Sequence, residues 1–213
     1  MEAEFWHQRW EQGEIGFHES RANPSLVAHV GKLNLAKGSR VFLPLCGKTL
    51  DIAWLLAQGY RVAGAELSAL AINELFRELG VVPHIVAAGT LTHYSASNID
   101  IFVGDVFDLS AHCLGPVDAI YDRAALVALP APTRAKYSAH LTTLTSAAPQ
   151  LLIAFEYDQA LMDGPPFSVS GDEIQRLYAG TYHLEPVERK SIEGGLKGKV
   201  AAMETIWVLR QRS

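Results

Sequence analysis

The stretch Arg40-Val41-Phe42-Leu43-Pro44-Leu45-Cys46-Gly47-Lys48-Thr49-Leu50-Asp51, continued through Gly59 to Tyr60-Arg61-Val62-Ala63-Gly64-Ala65-Glu66, decides the fold. Residues 40–45 form a near-continuous apolar run, as expected of a strand buried on both faces. Thr49 to Gln58 then carries Ile52, Leu55 and Leu56 on one helical face, and Gly59 stops it. Tyr60 to Ala65 reads as a second buried strand. A strand, a glycine turn, a helix and a strand make a right-handed crossover in a parallel sheet.

The alternation continues outward. Ser68 is placed to cap a helix reaching Leu79, because its hydroxyl accepts from orphan backbone N–H groups. Residues 81–98 read ambiguously, with strand character around Thr90 to Tyr94. Ile99–Val103, Val117–Tyr121 and Leu151–Glu156 are further strands, and helices are expected over Pro132–Thr145 and Gly171–Tyr178. A proline-rich loop, Gly164-Pro165-Pro166-Phe167, precedes the latter. Two closing strands, Leu184–Ser191 and Ala201–Leu209, are joined across Gly194-Gly195, which suggests an antiparallel addition at the sheet edge. Before the first strand lie an amphipathic helix over residues 2–12 with Phe5, Trp6 and Trp10, a loop through Gly16, Phe17 and His18, and a helix from Pro24. The expectation is a doubly wound α/β domain over residues 1–213, with a mostly parallel, seven-stranded sheet and an antiparallel edge strand.

Composition bounds the function. Of 213 residues 49% are hydrophobic and 19% charged, an ordinary globular balance, and the net charge of −5 argues against a nucleic-acid partner. Two cysteines, Cys46 and Cys113, provide neither a disulfide framework nor zinc spacing, which suits a reducing cytoplasm. The eight histidines are scattered without metal-binding spacing, so no metal is expected. Residues 1–12 lack the apolar core of a signal peptide and no stretch is long enough to span a bilayer, so no membrane association is expected.

In such sheets ligands bind beyond the carboxyl ends of the strands. Glu66 ends the second strand nineteen residues after Gly47, a spacing that favours holding ribose hydroxyls. The competing reading makes Glu66 a helix cap or the partner of a surface lysine. A dinucleotide would need the three glycines of G-x-G-x-x-G, whereas this turn offers Gly47 between bulky Leu45 and Leu50. Gly47-Lys48-Thr49 imitates the end of a P-loop, but Phe42 stands where that motif needs glycine. S-adenosylmethionine has a ribose and an adenine but no phosphate, and fits a single glycine. Asp105-Val106-Phe107, just past the third strand, suits the adenine: Asp105 can accept from its amino group while Val106 and Phe107 flank the ring.

Taken together, Phe42 to Asp51, Gly64-Ala65-Glu66-Leu67-Ser68, the segment Phe5-Trp6 through Trp10, Gly16-Phe17-His18, Tyr121-Asp122-Arg123-Ala124-Ala125-Leu126-Val127-Ala128 and Gly164 to Phe167 resemble the thiopurine S-methyltransferase family, in the family's order. The resemblance implies a class I, Rossmann-like methyltransferase: cytoplasmic, monomeric, and moving a methyl group from S-adenosylmethionine to a small aromatic or heterocyclic thiol. It further implies selenium or tellurium species as acceptors in bacterial relatives. Trp10, Leu45, Glu66 and Arg123 match the family's cofactor contacts; Asp105 and Val106 align on the adenine side. Phe17 aligns near the acceptor, with His18 beside it at the expected mouth. Residues 1–38 are then expected to form a helical lid over the cofactor site. No acid–base residue is required, and Arg123 is the candidate to stabilise charge on cofactor or acceptor.

Two departures stand out. Tyr121 and Ala124 replace the tryptophan and glycine frequent around the family's Asp-Arg pair. The segment Ile192 to Lys199 lacks the arginine expected there, leaving Lys197 or Lys199 as substitutes without its planar fork. A nicotinamide-dinucleotide oxidoreductase on the same fold and a non-catalytic cofactor-binding module are the alternatives.

Overall fold

In the computed structural model, which describes residues 3–14 and 19–212, the chain forms two compact units, Met1–Ile120 and Tyr121–Ser213. The first opens with helices α1 (Ala3–Glu11) and α2 (Pro24–His29). It continues through β1 (Arg40–Pro44), α3 (Leu50–Ala57), β2 (Arg61–Glu66), α4 (Ala69–Glu78), β3 (His84–Ala88), β4 (Leu91–Ala96), β5 (Ile99–Val103) and the single-turn α5 (Ala111–Leu114) to β6 (Ala119–Arg123). Its strand order is β3-β4-β5-β2-β1-β6. β1 pairs in parallel with β2 and β6, and β2 with β5. Val41, Phe42, Leu43, Val62, Ala63 and Ala65 are all buried, which is why these strands read as unbroken apolar runs.

The helix boundaries follow from caps. Asn23 accepts from the N–H groups of Ser25 and Leu26 at the start of α2, with Pro24 in the first turn. Thr49 accepts from Asp51 N–H at the start of α3, and Ser68 from Ala71 N–H at the start of α4. α4 turns Ala71, Ile72, Leu75 and Phe76 inward, the i, i+1, i+4, i+5 stripe of an amphipathic helix.

The second unit takes the end of β6 into α6 (Ala131–Leu144), β7 (Gln150–Tyr157), α7 (Gly171–Tyr178), β8 (Tyr182–Ser191) and β9 (Ala202–Gln211). β9 lies between β7 and β8 and is antiparallel to both. α6 and α7 are joined by a bidentate pair, in which Arg134 donates to the Glu173 carboxylate at 2.7 and 3.0 Å and also to Leu129 O.

The α/β class holds, but among the described residues the strands number nine rather than the expected seven. Residues 81–98 build a full antiparallel hairpin, β3–β4, turning at Gly89-Thr90 with Gly89 in the left-handed region (φ 68°). β3 faces solvent, with Ile85 49% and Val86 39% exposed, so no alternating burial marks it in the sequence. The closing pair forms the antiparallel addition expected at the sheet edge, with β8 outermost and β9 inside it. No helix among the described residues is long and apolar enough to cross a membrane.

Candidate functional site

At the carboxyl end of β1 the chain turns sharply. Leu45 adopts φ 49°, uncommon for a side chain branched at γ, and Gly47 adopts φ 52°. The turn is tied to β2, since Cys46 N–H donates to Ala65 O at 3.0 Å. Gly64 leaves the space this needs: a Cβ there would meet Cys46 Sγ at 2.9 Å and Ile101 Cδ1 at 2.7 Å.

Glu66 is 6% exposed, and each of its oxygens holds one backbone donor. Oε2 accepts from Gly47 N–H at 2.8 Å and Oε1 from Ser68 N–H at 2.9 Å. Burial raises its pKa, opposed by backbone N–H groups of Ser68, Gly47 and Leu67 and by the charge of His7 on α1. A carboxylate has about four acceptor sites, so these two bonds, with Leu67 N–H also acting on the group, leave capacity for a further hydroxyl donor. That is the requirement for gripping a ribose. Of the competing readings, the cap is met in part, since Glu66 accepts from Ser68 N–H at the start of α4 while Ser68 itself caps the helix, and Lys48, the nearby lysine, pairs instead with Glu74 at 2.9 Å and Glu78 at 2.7 Å. The same pairing removes any resemblance of Lys48 to a phosphate-binding lysine.

β5 delivers the adjoining wall. Gly104 N–H donates to Glu66 O at 2.9 Å, and Gly104 sits at φ 140°, where a Cβ would meet Leu91 Cδ2 at 2.5 Å. Asp105 is exposed, with Oδ1 accepting from Phe107 N–H at 2.9 Å. Val106 is buried, and Phe107 is exposed. Leu45, Gly47, Glu66, Asp105 and Val106 are thus set by neighbouring strand ends in one unit.

α1 packs against α4 and buries Trp10 to 6% exposure. Phe5 and Trp6 meet edge to face at 5.2 Å, and Arg9 lies 4.7 Å over the Phe5 ring. The chain that follows is anchored where Asn23 N–H donates to Asp51 at 2.6 Å, both side chains being buried. The sequence carries no signal for this anchor, because an aspartate in the first turn of a helix is an ordinary residue there. Gly16, Phe17 and His18 lie outside the described residues.

In the second unit β6 ends at partly buried Arg123, followed by Ala124 at φ 60°. Asp122 beside it is wholly buried, with burial pushing its carboxyl up to about 6 against the bonds from Leu126 N–H and Tyr137 hydroxyl. The proline loop is pinned by Phe167 N–H donating to Val127 O at 2.6 Å. Exposed Lys197 reaches the same loop, donating to Pro165 O at 2.7 Å, while Lys199 is exposed. Beneath them Tyr157, Leu196, Val200 and Ala202 form a small core of their own, flanked by Met162 and Ile192. No group of three or more His, Cys, Asp or Glu able to hold a metal ion occurs among the described residues.

The sequence model of the family described as Thiopurine S-methyltransferase (TPMT) matches residues 1–212. A thiopurine S-methyltransferase of Xanthobacter autotrophicus is 55% identical over 212 residues, covering 99% of this chain and 100% of the relative. One of Teredinibacter turnerae is 52% identical, covering 98% and 97%. Among solved structures, a Burkholderia thailandensis 1,6-didemethyltoxoflavin-N1-methyltransferase with bound S-adenosylhomocysteine superposes with TM-score 0.66 at 15% identity, covering 98% of this chain and 87% of that one. A methyltransferase dependent on S-adenosylmethionine from Anabaena variabilis gives 0.63 at 15% identity, covering 99% and 95%. At such identities these two speak for the fold alone.

Proposed function

Because this chain belongs to the thiopurine S-methyltransferase family, we propose that it transfers a methyl group from S-adenosylmethionine to a small aromatic or heterocyclic thiol, with Glu66 as its ribose-holding residue. The observation that carries the residue assignment is the buried Glu66 carboxylate, fixed by Gly47 and Ser68 yet with acceptor capacity left. When bound, S-adenosylmethionine supplies a methyl on a sulfonium, whose sulfur leaves neutral.

The chain's own residues bind, orient and shield. Leu45 and Gly47 shape the turn against which the cofactor lies, Asp105 and Val106 take the adenine side, and Trp10 closes over it. Arg123 counters negative charge on the cofactor carboxylate or the acceptor. Phe17 and His18 are assigned to the acceptor side from the family resemblance. No general base is needed, since a thiol that is partly thiolate is already nucleophilic; alignment and exclusion of water supply the acceleration. Residues 1–38 act as the lid of a single methyltransferase domain spanning 1–213. Supporting the lid are the burial of Trp10, the packing of α1 on α4 and the reach of His7's charge to Glu66.

Selenium and tellurium species, nucleophilic through a lone pair as a thiolate is, belong to the same acceptor class. The net charge of −5 supports a small-molecule partner rather than a nucleic acid. The family resemblance supports a cytoplasmic monomer. A dinucleotide oxidoreductase is not favoured, because the β1 turn offers one glycine and the family model covers the chain.

The test is methyl transfer from labelled S-adenosylmethionine to a thiopurine, an aromatic thiol, an aliphatic thiol, selenite, tellurite and a catechol, with Glu66→Ala alongside. Turnover on aromatic and heterocyclic thiols, abolished in the variant, is expected. Turnover confined to the catechol would overturn the acceptor class, and an unimpaired Glu66→Ala would overturn the assignment of that residue.

A further inference from the structure

Asp122 sits on β6 immediately before Arg123, so the two side chains leave opposite faces of the strand. Its Oδ1 accepts from Leu126 N–H at 3.0 Å and its Oδ2 from the Tyr137 hydroxyl of α6 at 2.8 Å. Between Asp122 and Leu126 the chain passes through Arg123 and the left-handed Ala124 (φ 60°), then enters a 3-10 turn over Leu126–Ala128. One carboxylate therefore ties the strand end, the turn after it and a helix behind it.

We infer that Asp122 is a positioning residue for Arg123: its carboxylate locks the turn that fixes the Arg123 backbone, and Arg123 meets the charge of its ligand only while that lock is closed. This rests on the role proposed above for Arg123.

The surroundings favour a role beyond packing. The titratable groups facing Asp122 are hydroxyls, Tyr137 from α6 and Tyr178 from α7, both pushed up by burial and by the charge of Asp122 itself. Tyr178 OH and both amide atoms of Gln150 are buried without a hydrogen-bond partner of good geometry, although Gln150 is near enough to restrain the tyrosine's pKa. The carboxylate is thus buried among neutral dipoles, and burial pushes it up to about 6. Where stability alone mattered, an asparagine keeping the Leu126 bond would serve as well. An ionised carboxylate grips Leu126 N–H more strongly than an amide oxygen, because the bond is charge-assisted.

The experiment compares wild type with Asp122→Asn, Tyr137→Phe, Arg123→Ala and the Asp122→Asn/Arg123→Ala double variant. It records kcat and KM for S-adenosylmethionine and an aromatic thiol between pH 5 and 8, with melting temperatures. Asp122→Asn is expected to melt at or above wild type yet lose tenfold or more in kcat/KM, together with the acid limb near pH 6. Any limb from the thiol's own ionisation stays in both proteins. Tyr137→Phe removes a bond that favours the carboxylate, so its limb moves to higher pH. The double variant is expected to be no slower than Arg123→Ala alone. Wild-type kcat/KM in Asp122→Asn, a limb unmoved in both Asp122→Asn and Tyr137→Phe, or losses that add in the double variant would overturn the inference. Full activity in Arg123→Ala would instead overturn the role given to Arg123.

Discussion

Gly47 and Glu66, nineteen residues apart, are joined by a 2.8 Å bond in which the glycine N–H donates to the carboxylate. The turn after β1 and the end of β2 are therefore tied together, and the acid proposed to hold the ribose also holds the glycine of that turn. Glu66→Ala leaves the buried N–H groups of Gly47 and Ser68 without acceptors, at roughly 1–3 kcal/mol each. The expected outcome is a melting temperature several degrees lower, with cofactor binding lost by calorimetry. Glu66→Gln, which keeps the shape but points an amide NH2 at one of two donors, should fall between.

Gly104 offers a sharper backbone test. At φ 140°, with Leu91 Cδ2 only 2.5 Å from where a Cβ would stand, alanine must distort both chains. Gly104→Ala should cost about 2 kcal/mol or more in urea unfolding, from backbone strain and overpacking. If Asp105 takes the proposed adenine-side place, the variant should also weaken S-adenosylmethionine binding.

The buried acid of the second unit gives a pH signature with a definite sign. The folded pKa of Asp122 is about 6 against an ordinary 3.8, so the native state binds the extra proton between those values. Stability from this group is complete below about pH 4 and is lost as pH rises through 6, by ~3 kcal/mol at neutrality. The melting temperature of Asp122→Asn minus that of wild type should accordingly grow as pH is raised from 4 to 7. A difference that stays flat would mean the carboxyl is not perturbed.

Removal of residues 1–18 tests the lid. Trp10 is buried in the first unit, so a truncated protein loses that anchor and, if the proposed lid is right, the cover over the site. Turnover is expected to fall at least tenfold while the remaining domain still melts cooperatively. Trp10→Ala should show the same direction at smaller size, and unchanged turnover in the truncated protein would count against a lid.

Most of the strand–helix alternation was legible because buried parallel strands are apolar without a break and their helices start at Thr49 and Ser68, whose hydroxyls do cap them. The β3–β4 hairpin was not, since the outer strand is exposed on both faces and its Ile85 and Val86 obey no period. The spacing from Gly47 singles Glu66 out in the sequence, and the structure joins the two by a backbone-to-carboxylate bond. Asp122 and Asp51 could not be read. An aspartate after a strand or in a first helical turn looks like any polar surface residue, and only burial shows that Asp122 is sealed among tyrosines and that Asp51 receives Asn23 N–H.

The contact from Lys197 to the carbonyl of Pro165 bears on how these two segments can be exchanged with a relative's. It couples the β8–β9 connection to the loop before α7, and both rest on the core of Tyr157, Leu196 and Val200. Two segments some thirty residues apart in sequence therefore behave as a single exchangeable module. Grafting either one alone from a relative would sever the tie and leave the shared core mismatched. A switch of acceptor by recombination is expected to succeed only when residues 162–168 and 192–201 travel together.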